Sequence, residues 1–349
     1  MSNEETKEKL DEQIQSFTAK DLASDQDVRW CPGCGDYSML SQLQRTLPDI
    51  GVKKEDIAVI AGIGCSSRFP YYMNTYGFHG IHGRALAIAS GLKSAHPKLS
   101  VWVSTGDGDC LSIGGNHFIH TLRRNVDINV MMFNNRIYAL TKGQYSPTSQ
   151  HGQKTKTSPQ GVIDHPFNPV LIALGAEGTF VARSMDRDPK HLKEMLLRMA
   201  QHKGTSFIDL LQNCVIFNDK AYEKYTNKET RQDNTILLEH GKPLVFGNNR
   251  DKGIRLDGFR PQVVSLEEYS ENDLLVHDEK SKELAFILAH MNDSPDFPMP
   301  LGVFLDIDRP TYEDELDRHV ALAIEKDGAG DLDSLLHNGS TWTIENNGD

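Results

Sequence analysis

From residue 57 to residue 211, short apolar runs alternate with segments of helical periodicity, and this alternation limits the available folds more than any other feature of the chain. Residues 57–61 form an apolar run that stops at Gly62, 85–95 carry a helical repeat, and 99–104 (Leu-Ser-Val-Trp-Val-Ser) form a second run. A helix ends over 117–124, and 129–133 form a third run. Asp188-Pro189 opens a helix to about residue 202, as an N-cap followed by proline in the first turn, and 206–211 form one more run. Upstream, 37–47 have helical spacing. Strands separated by helices imply an α/β fold with a mostly parallel sheet and helices on both faces. We divide the chain into a polar arm (1–27), a main domain (28–218), a C-terminal extension packing on the core or on a partner (219–325), and a flexible tail (326–349) rich in Gly, Asp and Asn. Beyond residue 218 charge density rises and periodicity weakens. A net charge of -12 argues against nucleic acid as a partner. No apolar run approaches the roughly 18 residues that span a bilayer. The first twenty residues are polar, without the apolar stretch of a signal peptide, so the expectation is a cytoplasmic protein.

The 99–104 run leads directly into Thr105-Gly106-Asp107-Gly108-Asp109. In open α/β sheets, ligands collect at the carboxyl ends of strands. Glycines beside Asp107 let backbone approach a phosphate, and a carboxylate there can hold Mg²⁺. Alone, Gly-Asp-Gly is also an ordinary strand-to-helix turn. A second half follows 25 residues later, where the 129–133 run ends in Asn134-Asn135-Arg136-Ile137-Tyr138. A helix and a strand fill that interval, so neighbouring strands deliver Asp107 and Asn135 to one edge. Carboxylate and amide oxygens are hard ligands suited to Mg²⁺. This spacing resembles the thiamine diphosphate–Mg²⁺ motif of thiamine-dependent enzymes, and by that resemblance the Ile137 carbonyl is a further ligand.

Five cysteines in such a chain point to metal ligands or free thiols rather than disulfides. Cys31 and Cys34 form a Cys-x-x-Cys pair in a glycine–proline loop, Cys65 follows the 57–61 strand, and Cys214 follows the 206–211 strand. Four thiolates there suit Zn²⁺ or a [4Fe–4S] cluster, and Cys31–Cys34 could also be a catalytic dithiol. Cys110 reads as a small buried hydrophobe, or as a replacement for one of the four.

Taken together, Trp30-Cys31-Pro32-Gly33-Cys34-Gly35, the Gly62–Arg68 stretch Gly-Ile-Gly-Cys-Ser-Ser-Arg, His82-Gly83-Arg84, Gly106-Asp107-Gly108-Asp109, Ile113-Gly114-Gly115-Asn116-His117 and the 140–148 stretch Leu-Thr-Lys-Gly-Gln-Tyr-Ser-Pro-Thr resemble the β subunits of 2-oxoacid:ferredoxin oxidoreductases, the 2-oxoglutarate type in particular. The resemblance is dense over 28–218 and thinner beyond. It implies the thiamine diphosphate-binding fold, with one [4Fe–4S] cluster on Cys31, Cys34, Cys65 and Cys214, and Mg²⁺ on Asp107, Asn135 and Ile137. It places thiamine diphosphate against Ile63, Gly64, Cys65, Ser66, His82, Gly83, Gly108, Asp109, Ala139 and Leu140.

The implied reaction is oxidative decarboxylation of 2-oxoglutarate, with coenzyme A taking the acyl group and ferredoxin the electrons. The thiazolium ring accepts the electron pair released with carbon dioxide. A cluster can pass electrons on singly, whereas zinc has no redox chemistry. Arg68 is the candidate clamp for the distal carboxylate, since Arg matches a carboxylate with two parallel hydrogen bonds, with Lys142 assisting and Leu140 bounding the pocket. No glutamate stands in a recognisable motif for activating the aminopyrimidine, and the resemblance puts it on an α subunit, within an α₂β₂ assembly. Other readings are the same chemistry on pyruvate or another 2-oxoacid, a non-redox thiamine enzyme with structural zinc, and a non-catalytic metal-stapled module.

Overall fold

The computed structural model describes residues 17–291 and 294–345. Most of the polar arm, and the last four residues of the tail, lie outside the described residues.

The main sheet is built on five parallel strands, of which β1 (Ile57–Ala61), β3 (Ser100–Gly106), β4 (Asn129–Asn134) and β6 (Ser206–Leu211) follow the apolar runs and β5 (Phe180–Met185) does not, with β2 (Tyr76–His79) pairing parallel to β1 at one edge. The order is β2-β1-β3-β4-β6-β5-β11-β7, where β7 is Thr235–Leu238 and β11 is Met299–Asp306. β11 runs antiparallel to β5, and β7 runs parallel to β11. Two strands from the segment set apart as an extension therefore complete the main sheet. Between them, β8 (Val245–Phe246), β9 (Lys252–Asp257) and β10 (Arg260–Ser265) form a small antiparallel sheet.

Helices cover both faces, as a parallel sheet requires. Alternate residues of one strand point to opposite faces. Val101 and Val103 join the core under α2 (Ala85–Ala95) and α4 (Gly115–Arg124), with Leu86, Phe118 and Leu122. Trp102 between them joins the opposite core, where α1 (Asp36–Thr46) and α6 (Pro189–Gln201) bring Leu43, Leu192 and Leu196. Asp188 caps α6 by accepting from the His191 amide. The first core extends under α5 (Pro169–Gly175) and α7 (Lys282–His290), through Val170 and Leu288. Beyond β11, α8 (Tyr312–Asp327) and α9 (Leu332–Leu336) lie mostly exposed.

Candidate active site

β3 and β4 are neighbours in register, so the turns that leave them lie side by side. β3 passes into one short helical stretch, α3 (Asp107–Leu111), and β4 passes into the Asn135–Tyr138 turn. Together with the 63–66 loop after β1 and His82 they enclose a cavity of about 210 Å³. Its walls include Ile63, Gly64, Cys65, Ser66, His82, Asp107, Gly108, Asp109, Asn135, Ile137, Ala139 and Leu140. All three expected Mg²⁺ ligands are thus brought to one cavity.

Asp107 is 3% exposed, and its Oδ2 accepts from the hydroxyls of Ser146 and Thr148. Burial pushes its pKa up to about 6, and those two hydroxyls resist the shift. The Gly108 and Asp107 backbone amides also act on this carboxylate and lower its pKa, and the carboxylate itself lines the cavity as a hard donor suited to a cation. The Asn135 Oδ1 accepts from the Ile137 amide at 3.2 Å, fixing the turn that carries both. A Cβ on Gly108 would stand 2.2 Å from the Tyr138 ring, so this position admits no side chain while Tyr138 donates to the Gly108 carbonyl. The donor set and this bare backbone fit an Mg²⁺–diphosphate group.

Asp109 does something different from what its place in the motif suggests. Its Oδ1 accepts from the Ile63 amide (3.1 Å) and the Gly83 amide (2.7 Å) and pairs with His82 Nδ1 (2.7 Å). Its Oδ2 accepts from the Thr105 hydroxyl. It therefore staples three loops together, and its acceptors are committed to protein. Gly62 allows this approach, because a Cβ there would lie 2.0 Å from Oδ2. Gly83 does not line the cavity; its amide serves Asp109 behind His82.

Hydrogen bonds to backbone carbonyls also draw the cysteine segments together. The Trp30 indole donates to the Cys65 carbonyl, and the Gly35 amide donates to the Asn213 carbonyl. Burial pushes the Cys65 thiol up to about 12, and Asp36, Cys214 and Cys31 act on it in turn. Burial also holds Cys34 far above its ordinary value, with Asp36, Cys65 and Cys214 adding to the effect. Cys110 is raised by burial and by Asp109 and Asp107, with no contribution from the other thiols. Among the described residues, no three His, Cys, Asp or Glu side chains converge tightly enough for a single ion.

The sequence reading missed several residues. Asp36 opens α1 just after the Cys-x-x-Cys loop, lines the cavity, is 1% exposed, and neither carboxylate oxygen has a hydrogen-bond partner. Burial pushes it up to about 7. An acidic residue directly after the glycine of the cysteine loop was its only signal. Ser146 and Thr148 lay in a quoted motif without a role.

Arg68 lies outside the cavity. It lines an adjoining space of about 660 Å³ that shares Ile63, Gly64 and Leu140 with it, and its guanidinium donates to the Arg29 carbonyl at 3.2 Å. Lys142 is exposed in a left-handed conformation (φ 77°) and lines neither space.

Comparison with known proteins agrees with this geometry. The family described as thiamine pyrophosphate enzyme, C-terminal TPP binding domain, matches residues 62–210. The 2-oxoglutarate oxidoreductase subunit KorB of Mycobacterium tuberculosis is 50% identical over 330 residues, covering 93% of this chain and 88% of that protein. The 2-oxoacid:ferredoxin oxidoreductase 1 subunit beta of Aeropyrum pernix is 45% identical over 54% of this chain and 60% of its own length. The solved 2-oxoglutarate:ferredoxin oxidoreductase of Magnetococcus marinus, with 2-oxoglutarate, coenzyme A and succinyl-CoA bound, superposes with a TM-score of 0.74 at 29% identity, covering 93% of this chain and 96% of that one.

Proposed function

The chain belongs to the family of 2-oxoacid oxidoreductase β subunits, and from that premise we propose that it carries out the thiamine-dependent, coenzyme A-dependent oxidative decarboxylation of 2-oxoglutarate, with electrons leaving through a [4Fe–4S] cluster to ferredoxin. The observation that carries this reading is one cavity whose wall includes Asp107, Asn135, Ile137 and Cys65. A thiamine site and a thiolate site sharing a wall bring an electron source within reach of a one-electron acceptor.

Asp107, Asn135 and the Ile137 carbonyl would hold Mg²⁺ on the diphosphate, with Ser146 and Thr148 orienting the Asp107 carboxylate. Gly108 and Ser66 offer close backbone and a hydroxyl along the cofactor. Asp109 positions the 63–66 loop and His82 rather than touching the cofactor. Cys31, Cys34, Cys65 and Cys214 would hold the cluster. A cluster is preferred to zinc because the reaction needs a one-electron acceptor and zinc has no redox chemistry. When bound, thiamine diphosphate accepts the electron pair released with carbon dioxide, and the protein supplies placement and an apolar wall of Phe133, Ile137 and Leu140. The β-subunit membership implies an α partner. We take that partner to carry the activating glutamate, in an α₂β₂ assembly. No helix among the described residues is long and apolar enough to cross a membrane, which agrees with a cytoplasmic setting.

The test uses the complex purified anaerobically with its partner subunit. Its broad visible absorption should bleach on addition of 2-oxoglutarate and coenzyme A. Asp107→Ala should keep the colour but not bleach, because the diphosphate loses its cation bridge. A colourless wild-type complex without iron would overturn the cluster assignment, and bleaching of Asp107→Ala at the wild-type rate would overturn the Mg²⁺ site.

A further inference from the structure

A second, larger cavity of about 450 Å³ opens on the same carboxyl-end edge of the sheet, over β4, β6, β5 and the start of β11. It shares no wall residue with the cofactor cavity. Ligands in open α/β sheets gather along this edge, and the volume is within the range of small-molecule sites.

The chemistry of its lining is one-sided. Among the described residues the only carboxylate in the wall is Asp209, and both of its oxygens are engaged, by the Asn134 amide (3.0 Å) and by the Arg183 Nε (2.9 Å). Arg136 also lines it, and no carboxylate among the described residues lies within ion-pair distance of its guanidinium, which instead stacks 4.4 Å from the Tyr222 ring centroid. Two guanidiniums against one carboxylate give the described residues of the wall a net positive charge. Tyr222 is 2% exposed, and its buried hydroxyl has no hydrogen-bond partner. Leaving such a group unpaired is costly, and a bound acceptor removes that cost. Gln150 and His165 add further polar groups at the wall.

The backbone points the same way. Arg136 is held at φ 58°, where its neighbours Asn135 and Ile137 line the cofactor cavity and Arg136 lines this one. A non-glycine residue in that region is strained, and such strain gathers at ligand clamps. The Ser149 hydroxyl fixes the conformation by donating to the Arg136 carbonyl at 2.6 Å.

We propose that this cavity binds a small metabolite through a single oxyanion, carboxylate or phosphate, gripped by Arg136 and by the Tyr222 hydroxyl. Occupancy is sensed at the cofactor site. Thr148 is in the wall, and its hydroxyl lies 2.5 Å from Asp107 Oδ2 and 3.0 Å from the Asn134 amide oxygen. A ligand that recruits that hydroxyl alters the Asp107 carboxylate, and the coupling runs equally in both directions.

The experiment is calorimetric titration of the complex, saturated with thiamine diphosphate and Mg²⁺ so that the diphosphate site is filled. Inorganic phosphate and acetate are titrated in separate arms, against chloride at matched ionic strength. Saturable binding of one anion per chain is expected, and the arm that binds more tightly identifies a phosphate ester or a carboxylate as the natural group. Arg136→Gln should weaken it about ten- to a hundred-fold, as loss of a charge-assisted hydrogen bond does, and Tyr222→Phe should weaken it several-fold. If Arg136→Gln fails to fold, Gln150→Ala, on an exposed loop, should still lower affinity. Absence of saturable binding by both anions, or unchanged affinity in the folded Arg136 and Tyr222 variants, would overturn the site.

Discussion

At the level of single residues, the division of labour between Asp107 and Asp109 shows how two carboxylates two positions apart acquire different work. Asp107 takes two hydroxyls on Oδ2 and lines the cavity, while Asp109 is enclosed by four partners from three loops. Arg68 extends the same reasoning to the substrate. It has no carboxylate within ion-pair distance among the described residues, and Leu140 bridges its space and the cofactor cavity. On the proposed role of Arg68, a five-carbon diacid with its 2-oxo end in the cavity would direct its distal carboxylate into the adjoining space that Arg68 lines. A charge-assisted hydrogen bond contributes about 1.5–3 kcal/mol, so Arg68→Leu should lower kcat/KM for 2-oxoglutarate by roughly ten- to a hundred-fold. It should spare 2-oxobutyrate, which has no second charge to place. The ratio of the two kcat/KM values is the quantity to measure, and equal losses would make Arg68 a structural residue tied to the Arg29 carbonyl.

Among the elements, the strands legible in the sequence are those whose apolar runs are unbroken. β1 and β6 appear at the expected residues, and β3 and β4 extend one or two residues further into their catalytic turns. β5 escaped notice because Arg183 and Ser184 interrupt it, and only the fold reveals that Arg183 pairs with Asp209 directly across on β6. β2 was hidden for the opposite reason, being an edge strand with exposed side chains. The site divides similarly. Cysteines and glycine-flanked aspartates announce their chemistry by type, whereas Ser146, Thr148 and Asp36 matter only through what the fold sets beside them. The join between the late segment and the sheet has its own titratable marker, His277. It is fully buried, donates from Nε2 to the Val303 carbonyl of β11, and leaves Nδ1 without a partner. Burial lowers its pKa, against the opposing pull of that carbonyl and of Glu279. The folded state therefore favours neutral imidazole. The stabilisation is complete above about pH 6.5, where the unfolded chain also carries it neutral. It is lost as pH falls through the lowered folded value, because the unfolded state binds the proton first. His191, lowered mainly by burial too, adds to the same slope. His277→Gln keeps a donor and removes the titration, so its melting temperature should fall less between about pH 7 and about pH 5 than the wild-type value does. Parallel curves for the two proteins would show that His277 does not report on this junction.

Across the whole molecule, the cofactor cavity lacks one part that thiamine chemistry needs. Among the described residues its acidic wall residues are Asp36, Asp107 and Asp109, and none is a glutamate. Around its mouth the surface is apolar and exposed: Ile81 is 69% accessible and Ile113 52%, beside edge strand β2 with Tyr76 at 68% and Phe78 at 54%. Soluble monomers rarely leave a contiguous apolar patch and an open strand edge uncovered. Both features have one explanation if the partner subunit sits on this rim and brings the activating carboxylate to the pyrimidine end of the cofactor. The chain expressed alone should then show no coenzyme A-dependent oxidation of 2-oxoglutarate, and turnover should appear when the partner is added. Ile81→Glu should lower that turnover by weakening association, with the loss recovered at higher partner concentration, because it places an unpaired charge in an interface that excludes water. A defect that no excess of partner corrects would locate Ile81 away from the interface. Turnover by the isolated chain would refute the division between subunits, and it would make Asp36, buried in the cavity wall with its carboxylate unpartnered, the group that activates the cofactor.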